Sequence, residues 1–160
     1  MIVELGHFLL VLALVASLVQ STLPVAGTLR RNSQLMDLAS SGALIVFLLV
    51  VMAYSALTWA YASSDFSVIN VWENSHSQMP MIYKISGVWG NHEGSMMLWL
   101  LILVFFTALV AIFGGNLPRS LKSNVLVVQG WIATAFLLFI LVTSNPFTRA
   151  SAVMGPVPPP

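Results

Sequence analysis

Charged residues are so sparse along this chain that the apolar stretches between them mark its predicted elements. Four long stretches contain no Asp, Glu, Lys or Arg; they lie between Glu4 and Arg30, Asp37 and Asp65, Glu93 and Arg119, and Lys122 and Arg149. Each is longer than the about 20 residues that a helix needs to cross the hydrocarbon core. Because lipid offers no partner to backbone N–H and C=O groups, each stretch is expected to be helical. The pattern predicts an all-α integral membrane protein with four transmembrane helices, at Leu5–Leu23, Ser41–Tyr61, Trp89–Phe113 and Val125–Thr143.

The segments that join these helices differ in length and character. Residues 24–37 are expected to form a polar connector, whereas residues 62–88 are too long for an unstructured link in a compact bundle. In that loop DFSVINVW is rich in β-branched and aromatic residues and predicts a short extended piece. Pro80 is placed to open a short helix in MPMIYKISGVW. Residues 148–160 form a proline-rich tail, expected to be disordered or to mark a truncation.

Composition agrees with a membrane protein and excludes several other classes. Hydrophobic residues make up 58% of the chain and charged residues 7%, far below the roughly 25% charged residues of a soluble domain. A net charge of +1 without a basic patch argues against nucleic acid as a partner. The chain has no cysteine, which excludes disulfides, thiolate metal sites and cysteine nucleophiles.

The distribution of Lys and Arg predicts the orientation of the chain. Two connecting segments carry most of the positive charge, namely Arg30 with Arg31 and Arg119 with Lys122. By the positive-inside rule these segments face the cytoplasm, so both termini and residues 62–88 face the periplasm of a bacterial inner membrane. The first helix has an acidic flank at Glu4 and a long apolar run, which is not the pattern of a cleaved signal peptide.

The candidate chemistry lies in Trp89-Gly90-Asn91-His92-Glu93-Gly94-Ser95, directly before the apolar run MMLWLLILVFFTALVAIF. On a helix the spacing would place Trp89, His92 or Glu93, Met96 and Trp99 on one face. Such a face could hold a flat aromatic ligand, with Trp rings to stack on it and His or Met to approach a metal. The alternative interpretation is an interfacial aromatic belt above a polar helix start.

Other interpretations of the ionisable residues fail on position or spacing. A zincin helix needs H-E-x-x-H, but the second histidine position is Met96. A dihaem four-helix cytochrome needs histidine pairs inside its spans, whereas the three histidines are spread over a first span, a loop and a third span. His76 is expected to be solvated in the loop, and His7 to be a boundary residue hydrogen-bonded to a neighbour. A small multidrug exporter would need a carboxylate well inside its first helix, and Glu4 lies at the margin.

Three segments carry a family resemblance. In order, ELGHFLLVLAL, NVWENSHSQMPMIYKISGVWGNHEGSMMLW and LLFILVTSNPF resemble the N-terminal portion of the CcmF-type cytochrome c biogenesis proteins, including the homologue from nitrite-reductase operons. The resemblance extends to about Phe147 and implies that residues 1–147 are the N-terminal transmembrane module of such a protein. The W-G-x-H-E-G-S-x-x-L-W string is the most specific part.

The resemblance implies a function in haem handling. Members receive haem from a periplasmic haem chaperone and help attach it to apocytochrome c. Their Trp-rich WWD signature and haem-ligating histidines lie beyond the region resembled here, and no similar Trp-rich string occurs in this chain. The chain is therefore expected to be a fragment, a truncated product or one piece of a split protein that works with the remaining CcmF part.

Only the Trp89–Ser95 motif and its neighbour carry over as residues of the haem-cavity entrance. These candidates are Trp89, Gly90, His92, Glu93, Gly94, Ser95 and Trp99. No catalytic residue and no metal ligand is predicted, and haem is not expected to be held stably by this chain alone. The competing hypothesis from another class is a structural membrane subunit without haem contact.

Overall fold

The computed structural model describes residues 1–30 and 32–150, and this part of the chain is almost entirely helical. Its helices are α1 (Ile2–Arg30), α2 (Ser33–Ala62), α3 (Ile69–Asn74), α4 (Met81–Gly87), α5 (His92–Phe113) and α6 (Arg119–Thr143), with a 3₁₀ turn at Gly114–Asn116. The long helices α1, α2, α5 and α6 are each long and apolar enough to cross a membrane. The predicted all-α fold with four transmembrane helices is confirmed.

The first two helices run further than the apolar pattern indicates. Helix α1 continues through Pro24 to Arg30, and α2 begins at Ser33, so the predicted connector over residues 24–37 is wrong. Packing explains the extension, because Gly27 lies so close to α2 that an added Cβ would sit 2.7 Å from the Leu35 Cβ. The Asn32 side chain then starts α2 by accepting a hydrogen bond from the Gln34 N–H at 3.0 Å.

The four long helices form a bundle in which neighbours along the chain run antiparallel. Helix α1 packs between α2 and α6, and α2 also packs against α5. We call one end of the bundle the loop end, where the start of α1, residues 62–91 and residues 144–150 lie. The connector end lies opposite, at Arg30, Asn32 and residues 113–119. Glu4, in the first turn of α1, and Glu93, in the first turn of α5, therefore both lie at the loop end.

A row of polar side chains on α1 is buried between α2 and α6. The Ser17 hydroxyl lies 2.8 Å from the Thr134 hydroxyl, and the Gln20 amide donates to the Leu126 carbonyl at 2.9 Å. Small residues let these helices approach, since a Cβ on Gly130 would sit 3.2 Å from Gln20 Nε2. Polar contacts thus join the first and last long helices inside an otherwise apolar core.

The segment between α2 and α5 is structured. The predicted extended piece is wrong for most of its length, because residues 69–74 form α3 and only Val68 makes an antiparallel bridge, to Arg149. The predicted short helix is confirmed as α4, which follows Pro80. Lys84 on α4 is buried and donates to the Ser64 hydroxyl at 2.6 Å, which ties α4 to the end of α2.

The first residues of the predicted tail are part of this arrangement. The Ala150 N–H donates to the Ser67 carbonyl at 2.8 Å, and the Ile69 N–H donates to the Thr148 carbonyl at 3.0 Å. Residues 151–160, which contain the prolines of the predicted tail, lie outside the described residues.

Candidate functional site

The motif predicted as a site forms the start of α5. Asn91 is the N-cap: its side-chain oxygen accepts a hydrogen bond from the Gly94 N–H at 2.7 Å. The helix therefore begins at His92, three residues later than predicted, and Trp89 precedes it. The predicted helical face that includes Trp89 is wrong, whereas His92, Met96 and Trp99 keep the spacing of one face of α5.

Asn91 belongs to a partly buried hydrogen-bond network at the loop end. Its side-chain amide donates to the Tyr61 hydroxyl and to the Gly87 carbonyl, both at 2.9 Å. The Tyr61 hydroxyl in turn donates to the Asn70 side-chain oxygen at 2.5 Å. Asn70 donates to Asn91 Oδ1 at 3.0 Å and to a carboxylate oxygen of Glu93 at 3.2 Å. We call Tyr61, Asn70, Asn91 and Glu93 the polar network; it joins the end of α2, helix α3 and the start of α5.

Gly94 is required by a close approach of the backbone. A Cβ at this position would lie 1.6 Å from the Val88 carbonyl oxygen, so no other residue fits without moving α5 or the turn before it. Gly90 lies in that turn, where its N–H donates to the Gly87 carbonyl at 3.2 Å. The Ser95 hydroxyl donates to the His92 carbonyl of the same helix at 2.9 Å. These three candidates shape the helix start.

The remaining candidates point away from the bundle. Trp89 is 45% exposed, Trp99 is 62% exposed, and His92 is also exposed. The His92 ring packs edge-on against Phe139 of α6, with ring centroids 6.4 Å apart. Beside it Met96 and Phe139 help to line an apolar groove of about 250 Å³ between α5 and α6. The sequence candidates therefore separate into Glu93, which faces the polar network, and an outward set of Trp89, His92 and Trp99.

A small polar cavity of about 150 Å³ adjoins the polar network. The carboxylates of Glu73 and Glu93 and the amides of Asn70 and Asn145 line it. Within the described residues no group of three or more His, Asp or Glu side chains could hold a metal ion. The carboxylates that line this cavity can accept hydrogen bonds or bind a cationic group.

The ends of the described chain close the loop end. Arg149 forms an ion pair with Glu4 and donates to the Ser67 hydroxyl. His7 is hydrogen-bonded to a neighbour, with Asn145 Nδ2 at 3.1 Å from its Nδ1, as expected for a boundary histidine. Residues far apart in the chain thus hold α1, the loop after α2 and the segment after α6 together at the end of the bundle that carries the candidate site.

Three members of the polar network, Tyr61, Asn70 and Asn91, are not among the predicted site residues, although Asn91 lies inside the predicted motif. Asn91 stands directly before a helix, and asparagine is a preferred N-cap, so this signal was present. Asn70 and Tyr61 gave less indication, because their roles depend on how α3 folds back onto α2. Sequence spacing identified Glu93 and missed the residues that orient it.

Comparison with known proteins places the chain among cytochrome c biogenesis proteins. The cytochrome c-type biogenesis protein CycK of Rhizobium meliloti is 65% identical over 155 residues, which is 97% of this chain and 23% of CycK. CcmF of Pseudomonas aeruginosa is 50% identical over 149 residues, 93% of this chain and 23% of CcmF. A solved structure of the cytochrome c heme lyase CcmF matches with a TM-score of 0.86 and 28% identity, over 92% of this chain and 25% of that chain.

The chain thus spans about a quarter of the length of the relatives that it matches. No protein-family model matches it. The similarity covers nearly all of the chain in both sequence and fold, and it confirms the resemblance predicted from the three segments. The chain belongs to the CcmF-type cytochrome c biogenesis proteins and corresponds to about one quarter of a member.

Proposed function

We propose that this chain supplies the N-terminal transmembrane module, residues 1–147, of a protein that delivers haem and ligates it to apocytochrome c. The observation that carries the proposal is the TM-score of 0.86 to the cytochrome c heme lyase CcmF, together with 65% identity to CycK. In this proposal the assembled protein performs haem transfer and ligation. The chain described here provides the scaffold and part of the face on which haem is handled.

The polar network would act on haem indirectly. Asn91 and Glu93 hold the start of α5, and this start sets the positions of His92 and Trp99 on the outward face. Exposed Trp and His rings near a membrane boundary suit contact with a flat, apolar macrocycle that has a polar edge. The outward set of Trp89, His92 and Trp99 would therefore border the entrance of the haem cavity, and the rest of the cavity would come from the remaining CcmF part.

In this proposal haem is the substrate of the assembled protein, because the described residues do not fit a stable haem site of their own. Six-coordinate haem needs two axial ligands on opposite faces of the ring. His92 and Met96 lie one turn apart on α5 and approach from one side, and His7 is engaged by Asn145. The chain expressed alone should insert into membranes without binding haem stoichiometrically.

Partners and location follow from the same proposal. The module would associate with the remaining CcmF part and other cytochrome c maturation proteins in the bacterial inner membrane. Both termini and the loop end would face the periplasm, where a haem chaperone and apocytochrome c could reach it. The charge distribution supports this orientation, because Arg30, Arg119 and Lys122 all lie at the connector end.

The test uses a complete family member that carries this sequence. His92→Ala and Trp99→Ala should each lower holo-cytochrome c severalfold at equal protein abundance, because both remove an exposed ring next to the predicted entrance. His76→Ala is the matched control: His76 is also exposed, but it lies in the loop, where its ring nitrogen accepts a hydrogen bond from the Gln78 N–H at 3.2 Å. Normal maturation in both motif variants would support the structural-subunit hypothesis instead.

A further inference from the structure

A second polar cavity lies at the connector end, far from the candidate haem face. It has a volume of about 180 Å³ and lies where the first turns of α2 and α6 meet the 3₁₀ turn after α5. Its walls carry two cationic side chains, Arg119 and Lys122, and one carboxylate, Asp37. The polar network and the proposed haem face take no part in it.

Ser123 is the informative residue of this cavity. It lines the cavity, is 2% exposed, and its hydroxyl has no hydrogen-bond partner among the described residues. A buried hydroxyl without a partner is costly, and native structures usually supply one. A ligand that accepts a hydrogen bond from inside the cavity would satisfy it.

The start of α6 adds donors and positive potential on the same side. The N-cap is Pro118, which has no side-chain group to bond the first turn, so the N–H groups of that turn are left without a side-chain cap. Arg119, Lys122 and Ser123 follow at the spacing of one helix face, and the helix dipole favours negative charge there. The hydroxyl of Ser123, the guanidinium of Arg119 and the helix start together match the acceptor oxygens of an oxyanion.

We propose that this cavity binds a phosphate group, and that the phosphate is that of a phospholipid headgroup. The position favours a lipid, because the cavity lies at one end of four apolar helices, at the level where headgroups meet the ends of spans. Lys122 serves partly as a structural residue, since its ammonium donates to the Ala111 carbonyl at the end of α5 at 2.7 Å. Arg119 and Ser123 are left to contact the ligand, and Asp37 limits the net positive charge.

The test measures lipid binding to the full chain purified in detergent. Dioctanoyl phosphatidylglycerol is titrated by native mass spectrometry, with dioctanoylglycerol as the probe that lacks phosphate. Arg119→Gln and Ser123→Ala should each weaken phosphatidylglycerol binding about tenfold, the loss expected for a hydrogen bond to a charged group. Arg30→Gln, a change of the same charge at the same end but outside the cavity, should leave binding unchanged.

Further measurements separate the possible outcomes. Without lipid, Ser123→Ala should melt no lower than the parent, because it removes an unsatisfied hydroxyl, so loss of binding would not reflect misfolding. Competition by inorganic phosphate at equal concentration would identify a free anion as the ligand and would overturn the assignment to a phospholipid. Equal binding of dioctanoylglycerol, or an equal loss with Arg30→Gln, would overturn the proposal.

Discussion

Asn91 has four hydrogen-bonding positions, and each of them is occupied. Its oxygen accepts from the Gly94 N–H and from Asn70, and its amide donates to Tyr61 and to the Gly87 carbonyl. Rotating the amide by half a turn would break all four bonds, so its orientation is determined by its surroundings. A side chain bound in this way sets the starting point of α5, and with it the position of His92.

The polar network predicts different outcomes for two chemically identical substitutions in α2. Tyr61→Phe should destabilise the protein by about 1–3 kcal/mol, because it removes the hydrogen-bond partner of the Asn70 side-chain oxygen and of one side-chain N–H of Asn91. Tyr54→Phe should be neutral or slightly stabilising, since the Tyr54 hydroxyl is buried without a hydrogen-bond partner in the described structure. Thermal unfolding of both variants in detergent would show the difference. A similar midpoint for the two would contradict the importance assigned to the network.

The sequence is only a partial guide to the individual residues of the candidate site. It indicated Glu93 and the glycines because a carboxylate and small residues at the edge of an apolar run are conspicuous. It did not indicate Asn70, whose amide matters only because residues 69–74 form a helix that packs on Tyr61. The role of a polar residue in a loop depends on contacts between segments, which residue spacing does not encode.

One long side chain on α1, Gln20, contacts both neighbouring helices. Gln20 fills the space left by Gly42 on α2, where an added Cβ would lie 2.9 Å from the Gln20 Cβ, and it also reaches α6 near Gly130. Close helix approach at small residues is a main source of stability where lipid removes the hydrophobic driving force. The bundle therefore depends on small residues at a few positions.

A larger side chain at Gly42 should separate α1 from α2. Gly42→Leu is expected to cost about 1–3 kcal/mol through overpacking, and to lower the unfolding midpoint in detergent. Ser41→Leu is the matched control, because Ser41 precedes it in the same helix and is exposed. If both variants unfolded at the same midpoint, the close contact between Gly42 and Gln20 would not determine the stability of the bundle.

The helices themselves were largely predictable, and their ends were not. Long uncharged stretches identify spans because a charge in lipid is costly. Such spans are helical because an unpaired backbone group in lipid is costly too. The end of α1 was misplaced because Pro24 and nearby polar residues normally signal a break, whereas packing of Gly27 against Leu35 keeps the chain helical. Tertiary contact overrode a local signal.

The whole molecule has two ends of different charge character. At the loop end the two basic side chains have partners: Lys84 donates a hydrogen bond to Ser64, and Arg149 forms an ion pair with Glu4. At the connector end Arg30 and Arg119 are exposed. Since exposed basic residues are retained in the cytoplasm, the connector end is expected to face inward.

Because the chain lacks cysteine, this orientation can be measured with single introduced thiols. Ser77→Cys at the loop end and Ser120→Cys at the connector end both replace exposed residues, whereas Ser123 would be unsuitable because it is buried. In intact spheroplasts an impermeant maleimide should label position 77 and leave position 120 unmodified until the membrane is opened. The reverse pattern would show that the protein is inserted the other way round.

The polar row on α1 has a consequence for biosynthesis. Ser17 and Ser21 can satisfy their hydroxyls within α1, through the carbonyls of Leu14 and Ser17. Gln20 donates instead to a carbonyl that lies 106 positions later in the chain. During synthesis α1 therefore enters the membrane with an amide whose partner has not yet been made. Until α6 arrives, the insertion machinery or a temporary neighbour must shelter Gln20 from lipid, so completion of the bundle has to wait for its last span.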